Sequence, residues 1–168
     1  MRIGIIGPSN IKYLEKINKK AKNIVLEIAK IVAESNNEIV ITPDKGSASE
    51  YLAFEYIKNN GKKIYEVVPL NEEEFGLSWL NLDLGKHINC NTWRNQPEKL
   101  NEETDILLCI GYAVGVLNEI AYTKWFNPKP VYLIKELISC GLPKEIEESL
   151  NLRYISINNL EKELTKLK

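Results

Sequence analysis

The segment from Asp105 to Glu119, DILLCIGYAVGVLNE, brings two glycines, a tyrosine and a glutamate together behind an apolar run. Its first part, Ile106 to Ile110, is the short unbroken hydrophobic stretch of a strand buried on both faces of a parallel sheet. Gly111 ends that run. Gly115 follows, and Val116, Leu117, Ile120 and Ala121 recur at helical spacing, so a helix begins close to Gly115. A helix start offers backbone N–H groups without intrahelical partners and the positive end of the helix dipole. A phosphate or carboxylate is stabilised there. The same two glycines also suit a tight strand-to-helix connection that binds nothing, and the segment by itself leaves both readings open.

Two further loops have the composition of binding loops. GPSN, Gly7 to Asn10, follows an apolar run ending at Ile6; Gly7 permits close backbone approach and Ser9 can donate a hydroxyl, unless Ser9 or Asn10 only caps the next helix. PDKGSASE, Pro43 to Glu50, holds Gly46, Ser47 and Ser49, with Lys45 as a potential cation. Ser47 and Glu50 also satisfy the S-x-x-E capping box, which explains both without a ligand. There is no G-x-G-x-x-G after the first strand and no G-K-[ST], which removes the ordinary dinucleotide-oxidoreductase and P-loop readings. His87, the only histidine, has no cysteine placed to form a nucleophilic dyad with it and reads as structural.

These loops need a scaffold, and strand and helix patterns alternate throughout the chain. Ile3 to Ile6 forms a strand; one long helix follows, with Leu14, Ile17, Ala21, Ile24, Ile28 and Ile31 as its apolar stripe. Strands at about Glu38 to Thr42, Lys63 to Val68, His87 to Asn89, Val131 to Ile134 and Arg153 to Ile157 are interleaved with helices near Leu52 to Ile57, Gln96 to Glu102 and Lys144 to Leu150 and from Leu160. Only the acidic segment Asn71 to Gly85 breaks the rhythm, as a lid or site loop does. The expected fold class is α/β: a Rossmann-like, open, mainly parallel sheet with helices on both faces, in one domain spanning 1–168. Ligands of such sheets sit at the carboxyl ends of the strands.

A formal net charge of -1 argues against a general nucleic-acid binder, and Lys19, Lys20 and Lys22 read as a solvated helix face. Cys90, Cys109 and Cys140 show no paired spacing and imply neither a disulfide framework nor a metal site. The opening MRIGIIGPSN is too short an apolar run for a secretory signal, and no later run reaches membrane-spanning length, so the expectation is a reduced, cytoplasmic protein without a membrane segment.

GPSN, the glycine turn into the second helix, Trp93-Arg94-Asn95, GYAVGVLNE and the strand KPVYLI (Lys129 to Ile134) together resemble the SLOG superfamily of Rossmann-like proteins. That superfamily includes the cytokinin-activating LOG phosphoribohydrolases, once taken for lysine decarboxylases, and related nucleotide-binding proteins. The order and spacing of elements match over nearly the whole chain. LOG enzymes carry P-G-G-x-G-T-x-x-E; Gly115 and Glu119 match its third glycine and its glutamate, Gly111 takes the proline position, Tyr112 and Ala113 replace the paired glycines, and Val116 replaces the threonine.

The resemblance implies a ligand site at Gly7, Ser9, Gly46, Ser47, Ser49, Gly111, Tyr112 and Gly115. Arg94 would grip a phosphate or carboxylate, and Glu119 would stabilise positive charge on a ribose as its N-glycosidic bond breaks. Arg94 on the surface and Glu119 as a first-turn contact to the helix dipole are the plainer alternatives. With the motif altered at three positions, the implied function is binding of a nucleotide or other phosphorylated small molecule with weak or no hydrolase activity, without a separate cofactor or metal. An active phosphoribohydrolase that releases a free base, or a structural protein that has kept only the fold, are the alternatives. Relatives of this kind pair as homodimers or higher homo-oligomers through helices beside the motif, for which Tyr122, Trp125 and Phe126 supply an aromatic end. Trp79 and Trp93 are placed either to stack on a base or to pack the loops.

Overall fold

Seven strands carry the fold in the computed structural model, which describes residues 1–167. They are β1 (Arg2–Ile6), β2 (Glu38–Ile41), β3 (Ile64–Val68), β4 (Lys86–Asn89), β5 (Ile106–Cys109), β6 (Val131–Ile134) and β7 (Leu152–Ile155). All pair in parallel, in the order β4-β3-β2-β1-β5-β6-β7. The chain winds outward from β1 to β4 on one side, then returns to lay β5 against the other side of β1. The sheet therefore changes winding direction between β1 and β5, where open α/β sheets leave a crevice outside the carboxyl ends of the strands. The Rossmann-like α/β expectation is met.

The central strands are apolar on both faces because helices cover both. Along β5, Ile106 and Leu108 enter one core and Leu107 and Cys109 the other. The first core packs under α2 (Ala21–Glu34), α3 (Ala48–Lys58) and α7 (Leu160–Thr165); the second packs under α4 (Gln96–Glu102) and α5 (Val114–Tyr122). Cys109 and Cys90 are buried free thiols within the second core, pushed up to about 12 and about 11 by burial, and are inert at neutral pH. Among the described residues no helix is long and apolar enough to cross a membrane, and no cluster of side chains could hold a metal.

The long first helix expected from its stripe is two helices, α1 (Lys12–Ile17) and α2. Asn18 breaks it with an extended backbone, φ -145 and ψ 120. Its carboxamide oxygen accepts from Lys20 N at 2.9 Å, and its amide donates to the Glu136 carbonyl at 3.2 Å. The break also changes the buried face: Val25, Ile28, Ala29 and Val32 are fully buried, Ile24 and Ile31 only in part, and Ile17 is exposed. α6 (Lys144–Glu147) completes the helices.

The acidic segment after β3 is tied down rather than free. Trp79 and Asn81 lie along the loop after β2, with Lys45 N donating to Trp79 O at 2.9 Å and Asn81 N to Pro43 O at 2.8 Å. The Lys45 ammonium donates to Ser78 O at 2.9 Å, and Asn81 Nδ2 to Glu50 Oε1 at 2.8 Å. His87 holds the far end: its Nε2 lies 2.9 Å from Leu82 O and 3.0 Å from the buried Glu66 Oε2. It is a structural histidine, as its isolation in the sequence suggests.

Candidate functional site

The loops after β1, β2 and β5 converge on one cleft of about 320 Å3. Gly7 and Ser9 come from the first loop, Asp44, Ser47 and Ser49 from the second, and Ala113, Gly115, Val116, Asn118 and Glu119 from the start of α5. Thr42 at the end of β2 and Trp93, Gln96 and Pro97 at the start of α4 complete the wall. Three loops far apart in the chain are thus neighbours because β1, β2 and β5 are adjacent in the sheet.

Each loop keeps its shape by local bonding that leaves some groups free. Asn10, not Ser9, caps the turn after β1, accepting from Lys12 N at 2.9 Å. Ser47 caps α3, its oxygen accepting from Glu50 N at 3.0 Å, so its hydroxyl hydrogen is still able to donate. Glu50 closes the capping arrangement one residue early, accepting from Gly46 N at 2.7 Å instead of from Ser47 N, which donates to Asp44 O. Ser49 is spent on structure: its hydroxyl donates to Ile5 O at 3.3 Å. No side chain caps α5, because its capping position is Ala113. The first N–H groups of that helix thus have no intrahelical or side-chain partner beside the cleft.

Glu119, 8% exposed, forms the back wall. Gln96 holds it, donating from Nε2 to Glu119 Oε1 at 2.9 Å and to Thr42 Oγ1 at 2.7 Å. Burial, opposed in part by that hydrogen bond and reinforced by the charge of Asp44, raises Glu119 from 4.5 to about 7. Asp44 rises to about 6, again from burial, with a contribution from Glu50. Among the described residues no lysine or arginine lines the cleft. An anion bound there would be held by backbone N–H groups, hydroxyls and the α5 dipole, and Glu119 can carry a proton at neutral pH.

The residues singled out from sequence divide into two groups. Gly7, Ser9, Ser47, Ser49, Gly115 and Glu119 line the cleft together. Gly46, Gly111, Tyr112 and Arg94 stand outside that lining. Gly46 shapes the α3 start, with φ 78 and its N–H on Glu50. Gly111 makes the turn out of β5 at φ 130, where an added Cβ would lie 2.3 Å from Leu14 Cδ2. Tyr112 packs with Leu142 and Tyr154 against the second core; burial holds its phenol well above the ordinary value, and its hydroxyl has no hydrogen-bond partner among the described residues. Arg94 is an exposed side chain whose Nη2 donates to Glu74 Oε2 at 2.8 Å.

Three cleft residues had no signal in the sequence: Asp44, Thr42 and Gln96. Asp44 sits in a Pro-Asp-Lys-Gly turn that reads as ordinary turn chemistry. Gln96 opens a helix beside Pro97 and reads as a helix start.

No protein-family model matches the chain, and a search of curated proteins finds no match. Solved structures of the same fold do match. The molybdenum cofactor binding protein from the phototrophic bacterium Rippkaea orientalis superposes with a TM-score of 0.75 at 15% identity, over 99% of this chain and 96% of the other. The molybdenum cofactor carrier protein from Chlamydomonas reinhardtii superposes with a TM-score of 0.71 at 14% identity, over 99% and 97%. A structural-genomics target follows with a TM-score of 0.66 at 14% identity, over 98% of both chains. At these identities the likeness is one of fold.

Proposed function

We propose that this protein is a SLOG-type binding protein for a phosphorylated heterocycle, a nucleotide or nucleotide derivative, with weak or no hydrolase activity. The observation that carries this reading is the uncapped start of α5 at the β1/β5 crevice, beside Gly7 and Ser9. A phosphate there is bound by backbone N–H groups, the helix dipole and the neighbouring hydroxyls, without a cationic side chain from the lining. The molybdenum cofactor for which two of the structural neighbours are named is itself a phosphorylated heterocycle, which agrees with that ligand class. Val116, standing where LOG enzymes carry threonine, offers the phosphate no hydroxyl. Thermal-shift titration tests the reading: AMP and GMP raise Tm in millimolar excess, and the corresponding nucleosides raise it much less. No shift with any monophosphate would remove it.

One observation favours hydrolysis as the second reading. A glutamate held near 7 by burial at the back of a cleft is suited to acid–base or charge-stabilising work, and Glu119 is the residue for it. In that reading Arg94 would leave Glu74 to take the ligand phosphate. Free-base release from monophosphates, lost in Glu119→Gln, would establish it; equal release by both proteins would exclude it.

We also propose self-association through the outer face of α5. Val114 is 88% exposed and Trp125, just beyond the helix, 76%. A second copy covering that face would bury Val114 at the cleft end of α5 and Trp125 beyond its other end. Sedimentation of wild type and Val114→Glu tests this, with the variant shifting to the monomer.

A further inference from the structure

Glu119 is gripped twice by α4. Gln96, the first residue of that helix, reaches its side chain, with Nε2 2.9 Å from Glu119 Oε1. Asn101, fully buried further along the same helix, reaches its backbone, with Nδ2 3.0 Å from Glu119 O. The Asn101 amide also donates to Pro97 O at 2.9 Å, which ties it to the backbone of α4 itself. The backbone of Glu119 is therefore anchored separately from its carboxyl group, and the hold of Gln96 on the carboxyl can be removed without releasing the other.

Both hydrogens of the Gln96 amide are committed, one to Glu119 Oε1 and one to Thr42 Oγ1 at 2.7 Å. While Glu119 is ionised the amide cannot turn over, because two acceptor oxygens would then face each other. Glu119 Oε2 is in a different position. It has no hydrogen-bond partner among the described residues and is not one of the buried unpaired atoms, so it is the oxygen open to the cleft. The charged and titratable neighbours oppose ionisation: Asp44 faces Glu119 from the loop after β2, with Glu50 on α3 beyond it, and the Cys109 thiol lies on the β5 side. Among the described residues no lysine or arginine lines the cleft, and the Gln96 N–H is the side-chain donor that favours the anion.

We propose that Gln96 is a positioning residue: it holds one oxygen of Glu119, leaves the other to the ligand, and so sets the pH at which the carboxyl group gives up its proton and turns an anion away. A neutral Glu119 offers Oε2 as a hydroxyl that can donate to a phosphate, whereas an ionised one repels it. Thr42 acts one step further back, as the acceptor that keeps the amide nitrogen turned towards Glu119. The step from proton to ligand rests on the binding function proposed above, while the hold of Gln96 on Glu119 does not.

Carbon-13 NMR of the Glu119 side-chain carboxyl, followed against pH in the ligand-free protein, tests that hold. Gln96→Met keeps the length of the side chain and loses the donor, so the Glu119 midpoint should rise by about one pH unit, with circular dichroism showing the fold intact. Loss of packing alone would admit water and move the midpoint the other way, towards the ordinary carboxylate range. Thr42→Val should raise the midpoint by roughly half a unit, and should add nothing further in the Gln96→Met background, because the amide through which it acts is gone. Calorimetric titration with AMP and GMP between pH 6.5 and 9 tests the consequence for the ligand. Wild-type affinity should fall roughly tenfold across the Glu119 midpoint, and in Gln96→Met the fall should move up by the same interval as the carboxyl titration. A midpoint that stays or falls in Gln96→Met, or shifts from the two substitutions that simply add, would overturn the role of Gln96 whether or not a nucleotide binds. A midpoint that rises as expected, with neither nucleotide bound at any pH, would uphold that role and overturn the binding function.

Discussion

Glu119→Gln isolates the cost of burying a carboxylate at the back of the cleft. Glutamine reproduces the shape of the protonated acid and keeps an oxygen for Gln96 Nε2, so the variant removes the charge and little else. In the folded protein Glu119 titrates at about 7, against 4.5 in the unfolded chain. Because the folded value is raised, the folded state holds the extra proton between those two values. The contribution of Glu119 to stability is therefore full below pH 4.5 and is lost as pH rises towards 7 and just above. At about 1.4 kcal/mol per pH unit, the full loss is on the order of 3 kcal/mol. Equilibrium urea unfolding of both proteins from pH 4.5 to 8.5 measures it. Glu119→Gln should match wild type to within about 0.5 kcal/mol at pH 4.5 and exceed it by on the order of 3 kcal/mol at pH 8.5. At the higher pH that difference corresponds to a Tm gain of roughly 6–12 °C for a chain of this size. A difference that does not change with pH, or a variant less stable than wild type at pH 8.5, would refute the reasoning. The hydrogen bond from Gln96 would then outweigh burial, and Glu119 would be a stabilised anion.

Three further outcomes follow from the cleft. Gly115 has no atom within 4 Å of where a Cβ would stand, so Gly115→Ala should raise stability by a few tenths to about 1 kcal/mol. The same methyl should weaken a monophosphate at least tenfold if the phosphate packs on that backbone, with calorimetry and melting reading the two effects separately. Gly111→Ala should cost roughly 1–3 kcal/mol through its φ of 130 and the approach to Leu14, with no direct effect on ligand contacts, as chemical denaturation and binding to the folded fraction would show. A phosphate near Glu119 should push its proton affinity higher still, so binding at pH 7 should take up as much as about half a proton. Titrations in buffers of different ionisation enthalpy measure that uptake, and heats independent of buffer would show that the anion lies elsewhere.

What could be read from the chain was the part governed by local periodicity. The apolar run Ile106 to Ile110 announced a doubly buried strand, and β5 feeds both cores from alternate residues. The helical stretch read at Gln96 to Glu102 is α4, with the same bounds. What escaped depended on partners distant in sequence. Asn18 breaks the first helix partly because its amide reaches the carbonyl of Glu136, which no window around Asn18 contains. Gln96 matters because its amide meets Glu119 and Thr42 across three elements. Asp44 becomes a site residue only when the acidic segment folds back beside Pro43 and Lys45. The motif that suggested Arg94 is carried by the chain, while the position of its side chain is set by Glu74 on that same segment.

The acidic segment is therefore the element that distinguishes this cleft from a generic crevice at a parallel sheet. The crevice itself follows from strand order and would exist with any short loops at β1 and β5. Its α5 end offers backbone N–H groups, which are the same whatever the loop sequence. The other end is made of side chains, Asp44 and Trp93, with Trp79 beside them. Both residues are ones that the segment fixes or flanks, while the start of α5 owes nothing to it. The loop into α5 and the aromatic recess are then two separable features: the first is backbone at the β1/β5 crevice, and the second is aromatic side chains positioned by the acidic segment.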